Sequence, residues 1–473
     1  MTGIQEALPS RLDDLTRVGD ENSSGPIANK TPMSGSVFKN LALALVSGGD
    51  SRLRIDRGSG LNKYLCPAEP GAGIVCASSC TASPIAQSGF DRAGALFEAF
   101  CGAASVRARR LLLQEEALRI EKCLLRYFKA DPLAEAILCP SGTDALLTAA
   151  RLLAAERPGT PMTAILPLAS ETGTGVPLAA AGRVFDGPRQ GRATTRTDVG
   201  IMEVALRAPD GAPLPEDEID AAYAASVSHA RGRAVVYLTY GTKTGLIAPH
   251  TPPADADVIV DACQARIDPA RVTEYLRCGW PVVVTGSKFF GGPAFSGAIL
   301  FPLGRQARSR PACSSPGAPG LGTVLRWTAA LEAIERFSSV AHRAASFLRQ
   351  RATAIRDEIA ANPALAPVGG FEGHGPHWAD QPSIVTFAMR DPVVRGRLLS
   401  ANELRPTYER LARDGILLGQ PVGLGAFGGL RIAIGARDVI QRLPDGVDRL
   451  VDAIKVLGRE PAPLSSGFGM AAE

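Results

Sequence analysis

The sequence predicts an α/β protein: a large domain on a mainly parallel seven-stranded sheet flanked by helices, plus a small C-terminal α+β domain. Three observations carry this expectation. Apolar strand candidates alternate with helical stretches around Ile137, Ile165, Val204, Val236, Ile259, Val283 and Ile299, the pattern of a parallel sheet covered on both faces. Chemically capable polar residues stand at the ends of several of these strands, where open α/β sheets bind ligands. The length, 473 residues, is too great for one simple core and suits one large and one small domain.

Each segment follows in order. Residues 1–95 read as an N-terminal arm, partly disordered, and those up to about Ser36 are polar and rich in Pro, Gly and Ser. Arg52 to Ser83 carries many turn signals and little periodicity. The large domain spans 96–310. Leu113, Ala117, Ile120, Leu124 and Phe128 recur at helical spacing and predict a long amphipathic helix leading into it. Ser309 to Gly322 reads as a loop, and Val324 to about Ala360 as a long helical connector. The connector and small domain cover 311–460, with strands near Val385, Leu417 and Ile432 and helices over Leu404–Asp414 and Val439–Leu457. Residues 461–473 read as a disordered tail.

Composition excludes several classes. A net charge of +4 is small for this length and gives no support to nucleic-acid binding. The longest apolar runs, such as Leu41 to Val46, are far too short to cross a bilayer, so no membrane partner is expected. The N-terminus lacks the basic start and apolar centre of a signal peptide. Nine cysteines, an odd number and mostly scattered, predict reduced thiols and a cytoplasmic setting.

Three strand ends carry the chemistry. In Val282 to Ile299 (VVVTGSKFFGGPAFSGAI) a lysine, Lys288, closes a buried-looking strand. Incompletely hydrated, it suits an amine held neutral to form an imine with an aldehyde. Thr285 and Ser287 beside it can hydrogen-bond a phosphate. Ser141-Gly142-Thr143 follows an apolar stretch and opens a helix, offering free N–H groups and hydroxyls to an anion. Val258 to Gln264 delivers a carboxylate, Asp261, at a strand end, with Gln264 three residues on. Singly, each has an ordinary explanation: an N-cap, a loop cap, a solvated lysine. Their order along the chain is what distinguishes them.

On these residues the chain resembles the pyridoxal-phosphate enzymes of the aspartate-aminotransferase fold (fold type I). DACQ and TGSKFFGG are most similar to the branch holding class V aminotransferases and cysteine desulfurases. The resemblance is good over about Glu135 to Leu300 and weaker to Arg431. It implies a pyridoxal 5'-phosphate cofactor attached at Lys288, with Asp261 against the pyridine nitrogen and Gln264 at the phenolic oxygen. Ser141, Gly142, Thr143, Thr285 and Ser287 would hold the phosphate. It also implies a homodimer with active sites at the interface, where Thr323 reaches a phosphate; a plain helix cap is the alternative for Thr323. Arg431, in GGLRIAIG, matches the residue that grips the substrate carboxylate, the alternative being a surface ion pair. Asn62, Tyr64 and Ser79 are candidates for substrate contact, or members of a surface loop.

Departures from the family are informative. Ala169 to Gly175 contains no ring-bearing side chain, so Thr172 or its neighbours, or else a residue from elsewhere, must cover the cofactor face. Thr242 takes the place of an Asn near the phenolate. Leu418 to Leu430 contains no cysteine, which argues against desulfuration. Cys263 would sit near the cofactor or serve as a small buried hydrophobe. The GxGxxG at Gly423 to Gly428 precedes a strand rather than a helix, so no dinucleotide site is expected. His374 and His377 have no third ligand, and no metal is expected. The resulting expectation is an aminotransferase for an amino acid or amino-bearing small molecule, the commonest outcome in this fold. A lyase or replacement enzyme is the runner-up, and a non-catalytic binding protein the third reading.

Overall fold

The computed structural model describes residues 41–71, 73–305, 319–373, 375–441, 450–455 and 457. The expected loose arm up to Ser36, most of the 309–322 loop, His374 and the tail lie outside them.

Strand β1 (Val75–Ala77) precedes helices α1 (Gln87–Gly102) and α2 (Val106–Tyr127). Then β2 (Ala134–Cys139), α3 (Gly142–Glu156), β3 (Met162–Pro167), α4 (Val176–Ala180), β4 (Val199–Val204), α5 (Glu216–Ser228) and β5 (Arg233–Tyr240) alternate. After β6 (Ile247–Ala248) come β7 (Asp257–Ala262), α6 (Pro269–Arg277), β8 (Val282–Thr285) and β9 (Gly297–Pro302). Helices α7 (Leu321–Val340) and α8 (Ala344–Ala361) lead to β10 (Leu365–Val368), β11 (Ile384–Met389), α9 (Ala401–Arg413), β12 (Ile416–Gly423), β13 (Gly428–Ala433) and α10 (Ala436–Gln441).

The predicted α/β class is the observed one. All seven strand candidates become strands of one sheet, ordered β2-β9-β8-β7-β5-β3-β4, and β6 pairs with the end of β5. Only β9 runs against the rest of that path. The five central strands β3, β5, β7, β8 and β9 are almost wholly buried, as expected of near-continuous apolar runs between two helix layers. On α2, Leu113, Ala117, Ile120 and Leu124 form the buried stripe, and Phe128 is buried at its C-cap.

The structure adds two features that periodicity did not disclose. The predicted connector is two helices, α7 and α8, broken by a 3-10 turn at Ala341–Arg343. Within the turn-rich Arg52 to Ser83 stretch, β1 pairs in parallel with β12 and extends a second sheet, ordered β1-β12-β13-β11-β10. Three residues are too few to show an alternating pattern. The GxGxxG segment is the tight link between β12 and β13, closed by Leu424 N–H on Phe427 O at 2.8 Å, with no helix to receive a dinucleotide. His377 caps a 3-10 turn, its Nδ1 accepting from Ala379 N–H at 3.2 Å.

Packing fixes the loop that carries Lys288. A Cβ on Gly286 or Gly292 would come within 2.5 or 2.6 Å of Ala330 Cβ, so α7 lies directly against backbone there. Phe289 and Phe290 anchor the next two positions in the core, Phe289 stacking on Trp378 at 4.5 Å between ring centroids.

Candidate active site

The C-terminal ends of five sheet strands converge on one side. β2 leads to Ser141–Thr143, β3 to the 168–175 loop, β5 to Thr242 and Lys243, β7 to Asp261 through Gln264, and β8 to Thr285 through Lys288. Asp261 is paired in register with Thr239 on one side and Val283 on the other. The N-terminal cup of α3 lies against the same residues: a Cβ on Gly142 would be 2.7 Å from Cys263 Sγ and 3.0 Å from Thr285 Cγ2.

Ser141 is the N-cap of α3, its Oγ accepting from Asp144 N–H at 3.1 Å and donating to the Asp144 carboxylate at 2.6 Å. Burial raises the pKa of Asp144, and Arg52 works against that. Asp261 Oδ1 accepts from Cys263 N–H at 3.1 Å. Thr285 Oγ1 donates to Cys263 O at 2.7 Å, joining β8 to the β7 loop. Phe289 N–H donates to Gln264 O at 3.3 Å, which ties the loop carrying Lys288 to the loop after Asp261. Burial first, then the Asp261 carboxylate, holds the Cys263 thiol well above its ordinary range. Cys263 is therefore a protonated, buried spacer rather than a thiolate nucleophile.

Two buried hydroxyls in this region have no hydrogen-bond partner: Thr172 Oγ1 in the loop after β3, and Thr239 Oγ1 beside Asp261. Unsatisfied buried polar atoms are uncommon and point to a missing ligand or water. Thr242 is turned inward, its Oγ1 accepting from Leu246 N–H at 3.1 Å and lying 3.2 Å from Thr244 Oγ1.

Other predicted residues hold the frame together. Gln264 donates to Cys80 O at 3.0 Å and, more weakly, to Thr242 O at 3.5 Å, while its Oε1 accepts from Arg266 at 2.8 Å. Arg431 is 2 % exposed and donates to Gln420 O, Lys243 O and Thr81 Oγ1 at 2.8, 3.0 and 3.0 Å. No carboxylate among the described residues pairs with it, so it is not a surface ion pair. Ser79 Oγ accepts from Arg266. Asn62 Oδ1 closes a turn by accepting from Tyr64 N–H and Cys66 N–H, and the Tyr64 hydroxyl lies by Arg52. Thr323, at the start of α7, accepts from Arg326 at 3.3 Å. Ser287 is buried beside Lys288.

Two site residues were missed by the sequence reading. Arg52 arrives from the N-terminal segment, with Nη1 donating to Thr143 Oγ1 at 3.3 Å. Asp50 grips its Nε and Nη2, and the Phe185 and Phe295 rings flank the guanidinium at 5.4 and 4.8 Å. Burial works against its charge, but the Asp50 hydrogen bond together with the charges of Asp50 and Asp144 outweighs burial and raises its pKa. Lys243 donates from Nζ to Ala169 O at 2.8 Å. Burial, then Arg431, then Lys288 lower its pKa to about 8, with Glu171 acting the other way. The only signal available for Lys243 was its place next to Thr242; nothing in the sequence singled out Arg52. Among the described residues, no group of three or more His, Cys, Asp or Glu is placed to hold a metal, and no helix is long and apolar enough to cross a membrane.

Together, the strand order, the cup at the start of α3 and the lysine after β8 make this the fold of the pyridoxal-phosphate-dependent enzymes of fold type I. The chain is similar to the cystine C–S lyase C-DES in a form with glycine covalently linked to the PLP cofactor, at TM-score 0.56 and 14 % identity over 81 % of this chain and 97 % of that one. It is also similar to the cysteine desulfurase CsdA from Escherichia coli, at TM-score 0.55 and 18 % identity over 81 % and 94 %. A third likeness is to the glutamate decarboxylase domain of a Vibrio parahaemolyticus diaminobutyrate-pyruvate transaminase and L-2,4-diaminobutyrate decarboxylase, at TM-score 0.53 and 13 % identity over 81 % and 80 %. No protein-family model matches the sequence, and no curated protein does.

Proposed function

We propose that this chain is a pyridoxal-phosphate-dependent enzyme acting on an amino acid or amino-bearing small molecule, and that its reaction is amino-group transfer. The observation that carries the proposal is that Asp261 lies near the end of β7 and Lys288 follows the adjacent strand β8, with Phe289 N–H on Gln264 O and the α3 cup packed on Cys263 and Thr285. The residues fit such a cofactor. The start of α3 packs tightly on Cys263 and Thr285 at Gly142, which brings its N–H groups to the ends of β7 and β8, and Thr172 and Thr239 keep buried hydroxyls without protein partners.

When bound, the cofactor supplies an aldehyde for a lysine and a cationic ring that accepts electrons from a bond broken at the substrate Cα. Lys288 would provide the amine that holds the cofactor and would serve as acid and base at the substrate Cα. Asp261 keeps the proton on the ring nitrogen. Gly142 and Thr143 N–H groups, the Ser141, Thr143, Thr285 and Ser287 hydroxyls and the Arg52 guanidinium would hold the phosphate. Gln264 can serve the phenolic oxygen by giving up its long bond to Thr242 O, with Thr242 beside it. Thr172 would cover the ring face, and Arg431 would take the substrate carboxylate. Tyr64 lies by Arg52, and Asn62 shapes the turn that carries Tyr64. A homodimer, with Thr323 turned to a partner's phosphate, and a cytoplasmic setting complete the proposal; the eight cysteines among the described residues are free thiols.

A lyase or replacement reaction is the second reading, favoured by the absence of a ring-bearing side chain at 169–175. The test is direct. Pyridoxal phosphate added to the protein should give a visible band, and borohydride should then fix a mass adduct on Lys288; Lys288→Ala should lose both. A wild-type protein without band or adduct refutes the proposal and leaves a non-catalytic role. With an amino donor, conversion to the pyridoxamine form supports transfer, whereas ammonia and a keto acid without that form support elimination.

A further inference from the structure

Resting on the pyridoxal-phosphate reading, we propose that the amino substrate carries a second carboxylate, received by Lys243 while Arg431 grips the first. Lys243 is pinned at the edge of the site from two sides. Its N–H donates to Glu171 O at 2.7 Å, and its carbonyl accepts from Arg431 Nη1 at 3.0 Å. Its ammonium spends one of three N–H donors on Ala169 O at 2.8 Å, leaving two for a ligand.

The nearby acid cannot satisfy it. Glu171 is 2 % exposed, receives Arg207 Nε at 2.6 Å and accepts from Thr244 Oγ1 at 2.8 Å. Arg431 is likewise surrounded by neutral oxygens. Arg431 and Lys243 therefore adjoin with no carboxylate to spare, since Glu171 is taken by Arg207 and Asp261 is assigned to the ring nitrogen. The cofactor phosphate belongs to the other end of the site, where Arg52 and the α3 cup meet it. A single substrate carboxylate on Arg431 leaves the half-buried Lys243 charge unmatched, and partly desolvating a cation without an anion is unfavourable. A second carboxylate on the substrate supplies that anion. The charged groups that face the Lys243 ammonium are Arg431, Lys288 and Glu171. Two cations and burial lower its pKa to about 8, so an anion at this place is held below that pH and released above it.

The experiment uses the cofactor-loaded full chain. L-Aspartate and L-asparagine, and L-glutamate and L-glutamine, are titrated while the cofactor absorbance is followed. At pH 7 at least one acid should bind about tenfold or more tightly than its amide, and the preference should shrink toward pH 9. Lys243→Met should bring the acid to the level of its amide and leave the amide unchanged. Lys243→Gln provides a second variant, and the wild-type pH series needs no variant at all. Equal binding of acids and amides to the wild type overturns the inference. So does an equal loss for acid and amide in Lys243→Met, the signature of a structural or proton-transfer role. Failure to form the Lys288 adduct would refute the cofactor reading itself, whereas an intact adduct with no acid preference refutes only the second carboxylate.

Discussion

Replacing Gly142 with alanine should weaken the grip on the cofactor phosphate without touching Lys288. The new methyl would lie 2.7 Å from Cys263 Sγ and 3.0 Å from Thr285 Cγ2. Ordinary contacts between such atoms are about 3.5–4 Å, so the methyl starts up to roughly 1 Å too close. Neither neighbour yields easily, because Cys263 is buried and Thr285 is tied to the Cys263 carbonyl. Overpacking of this kind costs about 1–3 kcal/mol. Alanine's better helix propensity at the start of α3 returns up to about 1 kcal/mol. A net loss of about 1–2 kcal/mol corresponds to roughly 5–30-fold weaker binding if the cup moves outward to relieve the clash. The assay is titration of the apo protein with pyridoxal phosphate and with unphosphorylated pyridoxal, read by absorbance. Gly142→Ala should lose affinity for the phosphorylated form and little for the other. Cys263→Ala in the same chain removes the nearer obstacle and should restore much of the loss. Unchanged phosphate affinity in the single variant, or no recovery in the double one, refutes the packing argument.

Three further outcomes are expected. Arg52→Gln should reduce the preference for pyridoxal phosphate over pyridoxal by about tenfold or more, as expected for a lost charge-assisted bond, while the Lys288 adduct still forms. Arg431→Met should weaken an amino acid by about tenfold or more and leave the matching amine without a carboxylate unaffected, in the same absorbance titration. Far from the site, Arg233 joins Glu156 at 2.7 Å and also bonds Asp257, which receives Arg305 at 2.6 Å. Burial would raise the Asp257 pKa, but Arg233 and Arg305 outweigh it and bring it to about 2. A depressed carboxylate stabilises the fold above its unfolded pKa, and the effect is lost as pH falls from about 4 toward 2. Asp257→Asn should therefore cost about 2 kcal/mol near neutrality in urea unfolding, and the difference from wild type should vanish below about pH 2.

Much of the fold and part of the site could be read from residues close together in sequence. The seven sheet strands, the apolar stripe of α2 and the strand-end positions of Ser141–Thr143, Asp261 and Lys288 follow from local apolar runs and their punctuation. These signals are local because a strand's burial and a helix's period are written within one element. The break between α7 and α8 escaped because three residues of 3-10 turn interrupt no apolar pattern. Strand β1 escaped because it is a strand only through its pairing with β12, more than three hundred residues later.

By itself, the sequence determined the alternation of strands and helices, and hence a sheet whose carboxyl ends carry a capped helix start, a carboxylate and an amine. Only the tertiary structure decided which charges share that place. Arg52 meets Thr143 across 91 positions, and Arg431 reaches the carbonyl of Lys243 across 188. The physical reason is that strand order and packing, not sequence spacing, set the distance between side chains on different elements. The electrostatics of a buried site depend on those distances and on the burial that the same packing imposes.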